Sequence, residues 1–226
     1  MNNSVSNTIP VIAVDGPSAS GKGSVAQLVA DALDFAYLDS GALYRVVAYA
    51  AKHAGVDWAD ADAVASCAQN AEIQFKNEQV YLNGNDISDA IRTEEMGKGA
   101  SRVAVHAALR QALIEVQHAF RQTPGLVADG RDMGTVIFPD AVLKIFLTAK
   151  TETRAERRYK QLLAKNQPAN YENILQDLKE RDARDQGRSS APLLMAQDAI
   201  LLETDNMTIA QAVNFILQKF AEKIHK

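Results

Sequence analysis

The residues Gly16-Pro17-Ser18-Ala19-Ser20-Gly21-Lys22-Gly23-Ser24 place two glycines and a lysine at the spacing G-x-x-x-x-G-K, with the hydroxyl residue one place later than usual. That pattern suits the binding of a polyphosphate. Glycines let backbone N–H groups turn inward around phosphate oxygens. A helix N-terminus behind the loop adds about +0.5 of an elementary charge, and Lys22 is placed to reach the β- and γ-phosphates.

Four further groups of residues carry chemistry. Asp39-Ser40 and Asp129-Gly130-Arg131-Asp132 each follow a short apolar run. Asp129 resembles the acidic residue that ends a Walker-B strand, although either group also fits turn or helix capping. Arg181, Asp185 and Arg188 lie at i, i+4 and i+7, and Arg154, Arg157 and Arg158 at i, i+3 and i+4, so each set shares one helix face. Arginine suits bidentate phosphate contacts, while local ion pairing on a solvated face is the other use of such a pattern. The histidines His53, His106, His118 and His225 show no zinc-ligand spacing and read as surface or packing residues.

These residues need a scaffold, and the apolar periodicity supplies one. Residues 9–14 are a β-branched run that reads as a buried parallel strand, and 22–33 carry apolar residues at helical spacing. A strand over 35–38 and a helix with Leu43, Val46, Val47 and Ala50 follow, with Ser40 as N-cap and Gly55 as stop. Residues 63–71 read as a short helix, and 72–76 with 79–83 as a hairpin turning at Asn77-Glu78, followed by a turn at 83–86. One long helix is expected over 94–121, capped by Thr93 and weakened by Gly97 and Gly99. Strands at 126–128, 142–147 and 199–203 and helices at 154–163, 171–185 and 209–224 complete the pattern, after a polar tail over 1–8. Strands alternating with helices argue for an α/β fold with a parallel sheet. Ligands then sit at the carboxyl ends of the strands, where Lys22, Asp39-Ser40 and Asp129–Asp132 fall.

The chain has 226 residues and a net charge of −4, so bulk charge offers no nucleic-acid surface and any anion site must be local. The lone Cys67 forms no internal disulfide, suits a reducing compartment and reads as a small buried helix residue. No apolar run approaches the ~20 residues of a membrane span, and the N-terminus has no signal-peptide pattern. A cytoplasmic protein is expected.

The loop G-P-S-A-S-G-K-G-S, the stretch Tyr37-Leu38-Asp39-Ser40-Gly41-Ala42-Leu43-Tyr44-Arg45, the stretch from Asp129 to Pro139, and Glu180–Asp185 with Arg188 together resemble bacterial cytidylate kinases over roughly residues 9–220. The resemblance implies a P-loop nucleoside monophosphate kinase fold: a parallel sheet flanked by helices, in one kinase domain with a small insertion of antiparallel strands. The core would be about 9–60, 106–150 and 172–226, the monophosphate-binding insertion about 60–105 and the lid about 151–171. It implies transfer of the γ-phosphoryl group of ATP to CMP or dCMP, with Mg²⁺ bound with ATP. Gly16, Pro17, Ser18, Ala19, Ser20, Gly21, Lys22, Gly23, Ser24 and Arg157 would bind ATP. Ser40, Arg45, Ser101, Arg110, Asp129, Arg131, Asp132, Arg181, Asp185 and Arg188 would surround CMP, and Lys22, Arg131 and Arg181 would be catalytic. In that picture Arg110 and Arg188 donate to cytosine N3 and O2, Ser101 and Asp132 accept from N4, and Asp185 accepts from a ribose hydroxyl. Because Gly23 replaces the usual hydroxyl residue after the lysine, no protein metal ligand is assigned. ATP and CMP or dCMP are the implied partners of a monomer that binds neither nucleic acid nor membrane. Another small-substrate P-loop kinase, such as one acting on shikimate, is disfavoured by Arg110, Arg181, Asp185, Arg188 and the insertion. A GTPase-like switch is disfavoured because the sequence has no N-K-x-D motif.

Overall fold

In the computed structural model, residues 9–76 and 79–224 are described. The expected tail over 1–8, the Asn77-Glu78 turn and His225 lie outside them. Five parallel strands form the main sheet in the order β2-β6-β1-β7-β8, where β1 is Val11–Asp15, β2 Ala36–Asp39, β6 Leu126–Gly130, β7 Leu143–Thr148 and β8 Ile200–Glu203. Residues of β1 alternate between two cores: Val11 and Ala13 pack on one face, Ile12 and Val14 on the other. A strand buried on both faces must be apolar throughout, which is why β1 reads as an unbroken aliphatic run.

Helix α1 (Lys22–Leu33) buries Val25, Ala26, Val29 and Ala30 against the sheet and packs on α8 (Ile209–Ile224). On the other face lie α2 (Ser40–His53), α3 (Ala61–Gln69) and a pair of helices, α4 (Glu94–Val103) and α5 (Ala107–His118). Between α3 and α4 a second sheet, antiparallel, joins β3 (Ile73–Lys76), β4 (Gln79–Leu82) and β5 (Asn85–Asp86). Helices α6 (Thr151–Ala164) and α7 (Tyr171–Gln186) pack on each other and close the carboxyl end of the main sheet. Among the described residues no helix is long and apolar enough to cross a membrane.

Several local expectations change. The cap of α2 is Asp39, whose side chain accepts from the Ala42 N–H at 3.0 Å; Ser40 is already helical. Residues 85–86 are not merely a turn. Asn83 and Gly84 both have positive φ, the geometry of an Asn-Gly hairpin turn, and they fold β5 back onto β4. The single helix expected over 94–121 is broken at 104–106. There Arg110 takes up the Ala104 carbonyl at 3.2 Å, and the His106 side chain, with Nε2 2.7 Å from the Trp58 carbonyl, ties the break to the chain after α2. Arg188 lies past the end of α7, yet it still pairs with Asp185 because the chain turns at Gly187. Cys67 is half-buried on α3.

Candidate active site

Strand order explains why distant residues meet. Adjacent parallel strands put Asp39 beside Asp129, Val14 beside Asp129 and Asp15 beside Gly130. The ends of β2, β6 and β1 therefore deliver Ser40, Asp129 and the glycine loop to one edge of the sheet.

The loop is built by backbone geometry. Gly16 cannot carry a side chain, since a Cβ would lie 2.0 Å from the Leu147 carbonyl oxygen of β7. Gly21 is the N-cap of α1 in the left-handed conformation (φ 89) and offers no side-chain cap. The first N–H groups of α1 have no intrahelical acceptors, so the loop presents free donors at the positive end of a helix. Three arginines brace the loop from outside. Arg154 donates to the Ser18 carbonyl at 3.0 Å, Arg157 to the Ser20 carbonyl at 3.3 Å, and Arg131 to Ser18 Oγ at 2.7 Å. Ser20 Oγ is buried without a partner among the described residues. Lys22 is buried, with no hydrogen bond or ion pair among the described residues. Burial, followed by the nearby Arg131 charge, pulls its ammonium down to about 8, against the opposing pull of Asp129 and Asp39.

Asp129 accepts from the Tyr37 hydroxyl at 2.9 Å, and burial, followed by the Asp39 charge, pushes its carboxyl up to about 6. A Cβ on Gly23 would lie 3.0 Å from Asp129 Oδ2, so the hydroxyl residue usual after the lysine would crowd this carboxylate. Ser24 is exposed.

Opposite the loop, arginines and carboxylates are paired. Asp185, fully buried, accepts from Arg131 Nε at 2.8 Å and from Arg188. Burial alone would raise its carboxyl, but the Arg131, Arg188 and Arg181 charges hold it below the usual range. Arg110 pairs with Asp132 and stands over the Tyr44 ring, 5.6 Å from its centroid. Ser101, buried in α4, lies 3.5 Å from Arg184 Nε. Arg45 donates to the Ile91 carbonyl at 3.0 Å. Arg181 has no carboxylate partner within ion-pair distance, and its buried Nε has no acceptor among the described residues. Burial, then the charge of Arg131, pulls its guanidinium down to about 9.

Two clefts flank the loop. One, of about 390 Å³, is lined by Ser18–Ser24 with Arg45, Lys98, Arg158 and Arg181. Its mouth is bridged by two ion pairs, Arg158 to Glu94 at 2.7 Å and Lys98 to Asp177 at 2.9 Å. The other, of about 430 Å³, lies between the loop, Arg157 and the apolar side chains of Met207 and Ile209. Arg110, Asp132, Asp185 and Arg188 are buried and line neither cleft. Among the described residues no set of three acidic, histidine or cysteine side chains is placed to hold a metal ion.

Sequence reasoning passed over Asp15, Tyr37, Tyr44 and the pair formed by Arg154 with Asp182 at 2.6 Å. Asp15 ends a strand at the sheet's carboxyl edge, so its position was a usable signal. The partners of Tyr37 and Arg154 lie 92 and 28 residues away, and no local spacing announces them.

A family model described as cytidylate kinase matches residues 12–222. A cytidylate kinase from Cupriavidus necator is 57% identical over 213 residues, covering 94% of this chain and 96% of that one. One from Polynucleobacter asymbioticus is 55% identical, covering 96% of this chain and 99% of that one. A solved gluconokinase from Sinorhizobium meliloti 1021 aligns over 96% of this chain and 97% of its own, at 16% identity and a TM-score of 0.48.

Proposed function

The chain belongs to the cytidylate kinase family, and we propose that its clefts divide the two substrates of the reaction between them. The enzyme transfers the γ-phosphoryl group of ATP to CMP or dCMP, giving ADP and CDP or dCDP. The loop from Gly16 to Ser24 holds the phosphates of ATP, and the cleft beside Arg157, Met207 and Ile209 takes its nucleoside. The acceptor phosphate sits between Ser40, Arg45, Arg131 and Arg181. Arg110, Asp132, Ser101 and Arg188 read the base, and Asp185 the ribose. On binding, the nucleotide replaces part of the present pairing of Arg110 with Asp132 and of Arg188 with Asp185.

One observation carries this reading. Lys22, Arg45 and Arg181 converge on one cleft, each with its pKa lowered by burial and by at least one neighbouring arginine. Arg181 has no carboxylate within ion-pair distance among the described residues. A positive cluster this poorly neutralised is built for anions supplied from outside, and two facing phosphate groups meet that need.

Phosphoryl transfer is catalysed by positioning and charge stabilisation. Lys22 follows the transferring group from the donor side, and Arg131 and Arg181 neutralise it from the acceptor side. The two ion pairs across the mouth, with the lid over about 151–171 and the insertion over about 60–105, keep water from taking the phosphoryl group. The residues present suit a magnesium ion carried mainly by the phosphates and water, because Gly23 supplies no hydroxyl and no acidic cage surrounds the loop. When bound, such an ion would offset the negative charge of the ATP phosphates. Asp39, Asp129 and Asp15 are carboxylates whose charges interact with Lys22. A cytoplasmic monomer that binds no nucleic acid accompanies this reading, supported by the lone Cys67 and the net charge of −4.

Uracil presents N3–H where cytosine presents an acceptor, so a guanidinium facing it leaves donors unpaired. Initial rates with ATP and CMP, UMP, AMP or shikimate test the reading. CMP is expected to exceed UMP in kcat/KM by about 10²–10⁴. Use of UMP within a few-fold of CMP contradicts the assignment of base donors.

A further inference from the structure

Asp132 opens a tight turn and does not cap it. The turn runs over 133–137, and Ile137 N–H reaches the Asp132 carbonyl at 3.1 Å while Phe138 N–H reaches the Met133 carbonyl at 2.7 Å. An aspartate at the position before such a turn ordinarily accepts from the first free N–H groups with its own carboxylate. Here Asp132 makes no such bond. Its carboxylate is turned to Arg110 instead. The orphaned donors are taken by a residue more than a hundred positions earlier. Asp15 Oδ1 accepts from Met133 N–H and Asp15 Oδ2 from Gly134 N–H, each at 2.8 Å.

Asp15 is the last residue of β1, directly before Gly16, and is paired in register with Gly130 on β6. One buried carboxylate thus ties the root of the phosphate loop to the turn that carries Arg131 and Asp132. Both of its oxygens are used by backbone donors, which no neutral residue of the same shape can match. An asparagine offers one acceptor and would point an NH₂ group at a second N–H.

We propose that Asp15 is a positioning residue for acceptor specificity: by capping the 133–137 turn in place of Asp132, it leaves the Asp132 carboxylate for Arg110 and the acceptor base. The inference rests on the assignment of Asp132 and Arg110 to that base. Burial raises the Asp15 carboxyl to about 6 even though the two N–H groups pull it down, so at neutral pH it is ionised and able to accept both bonds. Without Asp15, Asp132 is the nearest group able to cap its own turn. Arg110 then loses its carboxylate, and discrimination at the base weakens more than binding on the ATP side.

The test is a double-mutant cycle on Asp15→Asn and Asp132→Ala, read as kcat/KM for CMP, kcat/KM for UMP and KM for ATP. Asp132→Ala should narrow the CMP-to-UMP ratio by about tenfold. Asp15→Asn should narrow it by a comparable factor with KM for ATP changed by less than about twofold. The double variant should narrow it no further than Asp132→Ala alone. If Asp15→Asn lowers CMP and UMP equally, or if the two changes multiply, Asp15 is a structural residue and the inference is overturned. If Asp132→Ala leaves the ratio intact, the base-site assignment itself is wrong and the inference goes with it. Should Asp15→Asn not fold, amide exchange in the unsubstituted protein decides. Met133 and Gly134 N–H are expected to be protected, and free exchange at both contradicts the cap.

Discussion

In the proposed assignment, the two sides of the cleft meet the same chemical group with different materials. The donor side is backbone: a glycine held against Leu147, a left-handed Gly21 and the free end of α1, with Lys22 buried at its start and Arg154 buried behind the loop. The acceptor side is side chains, with Arg45 from α2, Arg131 from the turn after β6, Arg181 from α7 and Arg188 just beyond it, held by Asp185 and Ile91. A backbone site is specified locally and is rigid once the glycines are in place. A side-chain site is specified by tertiary pairing, so its parts support one another and fail together.

This contrast predicts different kinds of damage. Lys22→Met should have the largest effect on turnover, lowering kcat by about 10³ or more, because the charge acts on the transferring group. Thermal unfolding should show its melting temperature nearly unchanged, since Lys22 makes no hydrogen bond or ion pair among the described residues. A large loss of stability would mean that Lys22 is structural. Asp185→Ala should do the reverse in kind. It leaves Arg131 and Arg188 as unpaired buried charges, a cost of about 3–5 kcal/mol measurable by urea unfolding, together with lost CMP activity.

Stability against pH sharpens the same comparison. The Asp129 carboxyl is raised from 3.8 to about 6, so its ionised form is disfavoured in the fold. The stability it contributes is complete below about pH 4 and is lost as pH rises through 6. Asp129→Asn removes that loss and should be more stable than the unsubstituted protein at pH 8 by about 1–3 kcal/mol, with the gap closing toward pH 3. Asp185 is shifted the other way, so the stability it contributes is present above its unfolded value and lost as pH falls. Asp185→Asn should therefore lose stability relative to the unsubstituted protein at neutral pH, with the deficit shrinking in acid. Unfolding curves for the two variants that move in the same direction would remove the distinction between an unpaired and a paired carboxylate.

Legibility in the sequence follows the same line. The loop, α1 and the sheet were readable because each depends on residues within a few positions: aliphatic runs for strands buried on both faces, glycines for special backbone, helical spacing for α1 and α8. Ser40, Asp129–Asp132 and the Arg181, Asp185, Arg188 set stand out by position and spacing, and the local pair of Arg188 with Asp185 is legible there, whereas Arg45, Ser101 and Arg110 enter only through resemblance to a family and the distant partners are not legible. Arg110 meets Asp132, and Arg131 meets Asp185, only after α5, β6 and α7 have been assembled. The break between α4 and α5 was missed for the same reason, since it rests on Arg110 reaching Ala104 and His106 reaching Trp58. Asp15 is legible by its position at the carboxyl edge of the sheet, but its partners, 118 and 119 positions away, are not.

The division of the cleft into donor and acceptor sides is tested most directly by calorimetric titration of Arg181→Ala with CMP and, separately, with a non-hydrolysable ATP analogue. Arg181 has no carboxylate within ion-pair distance among the described residues, so its loss should weaken CMP binding by at least about tenfold while the analogue binds within about threefold of the unsubstituted protein. Equal losses for both ligands, or a loss confined to the ATP analogue, would contradict the division.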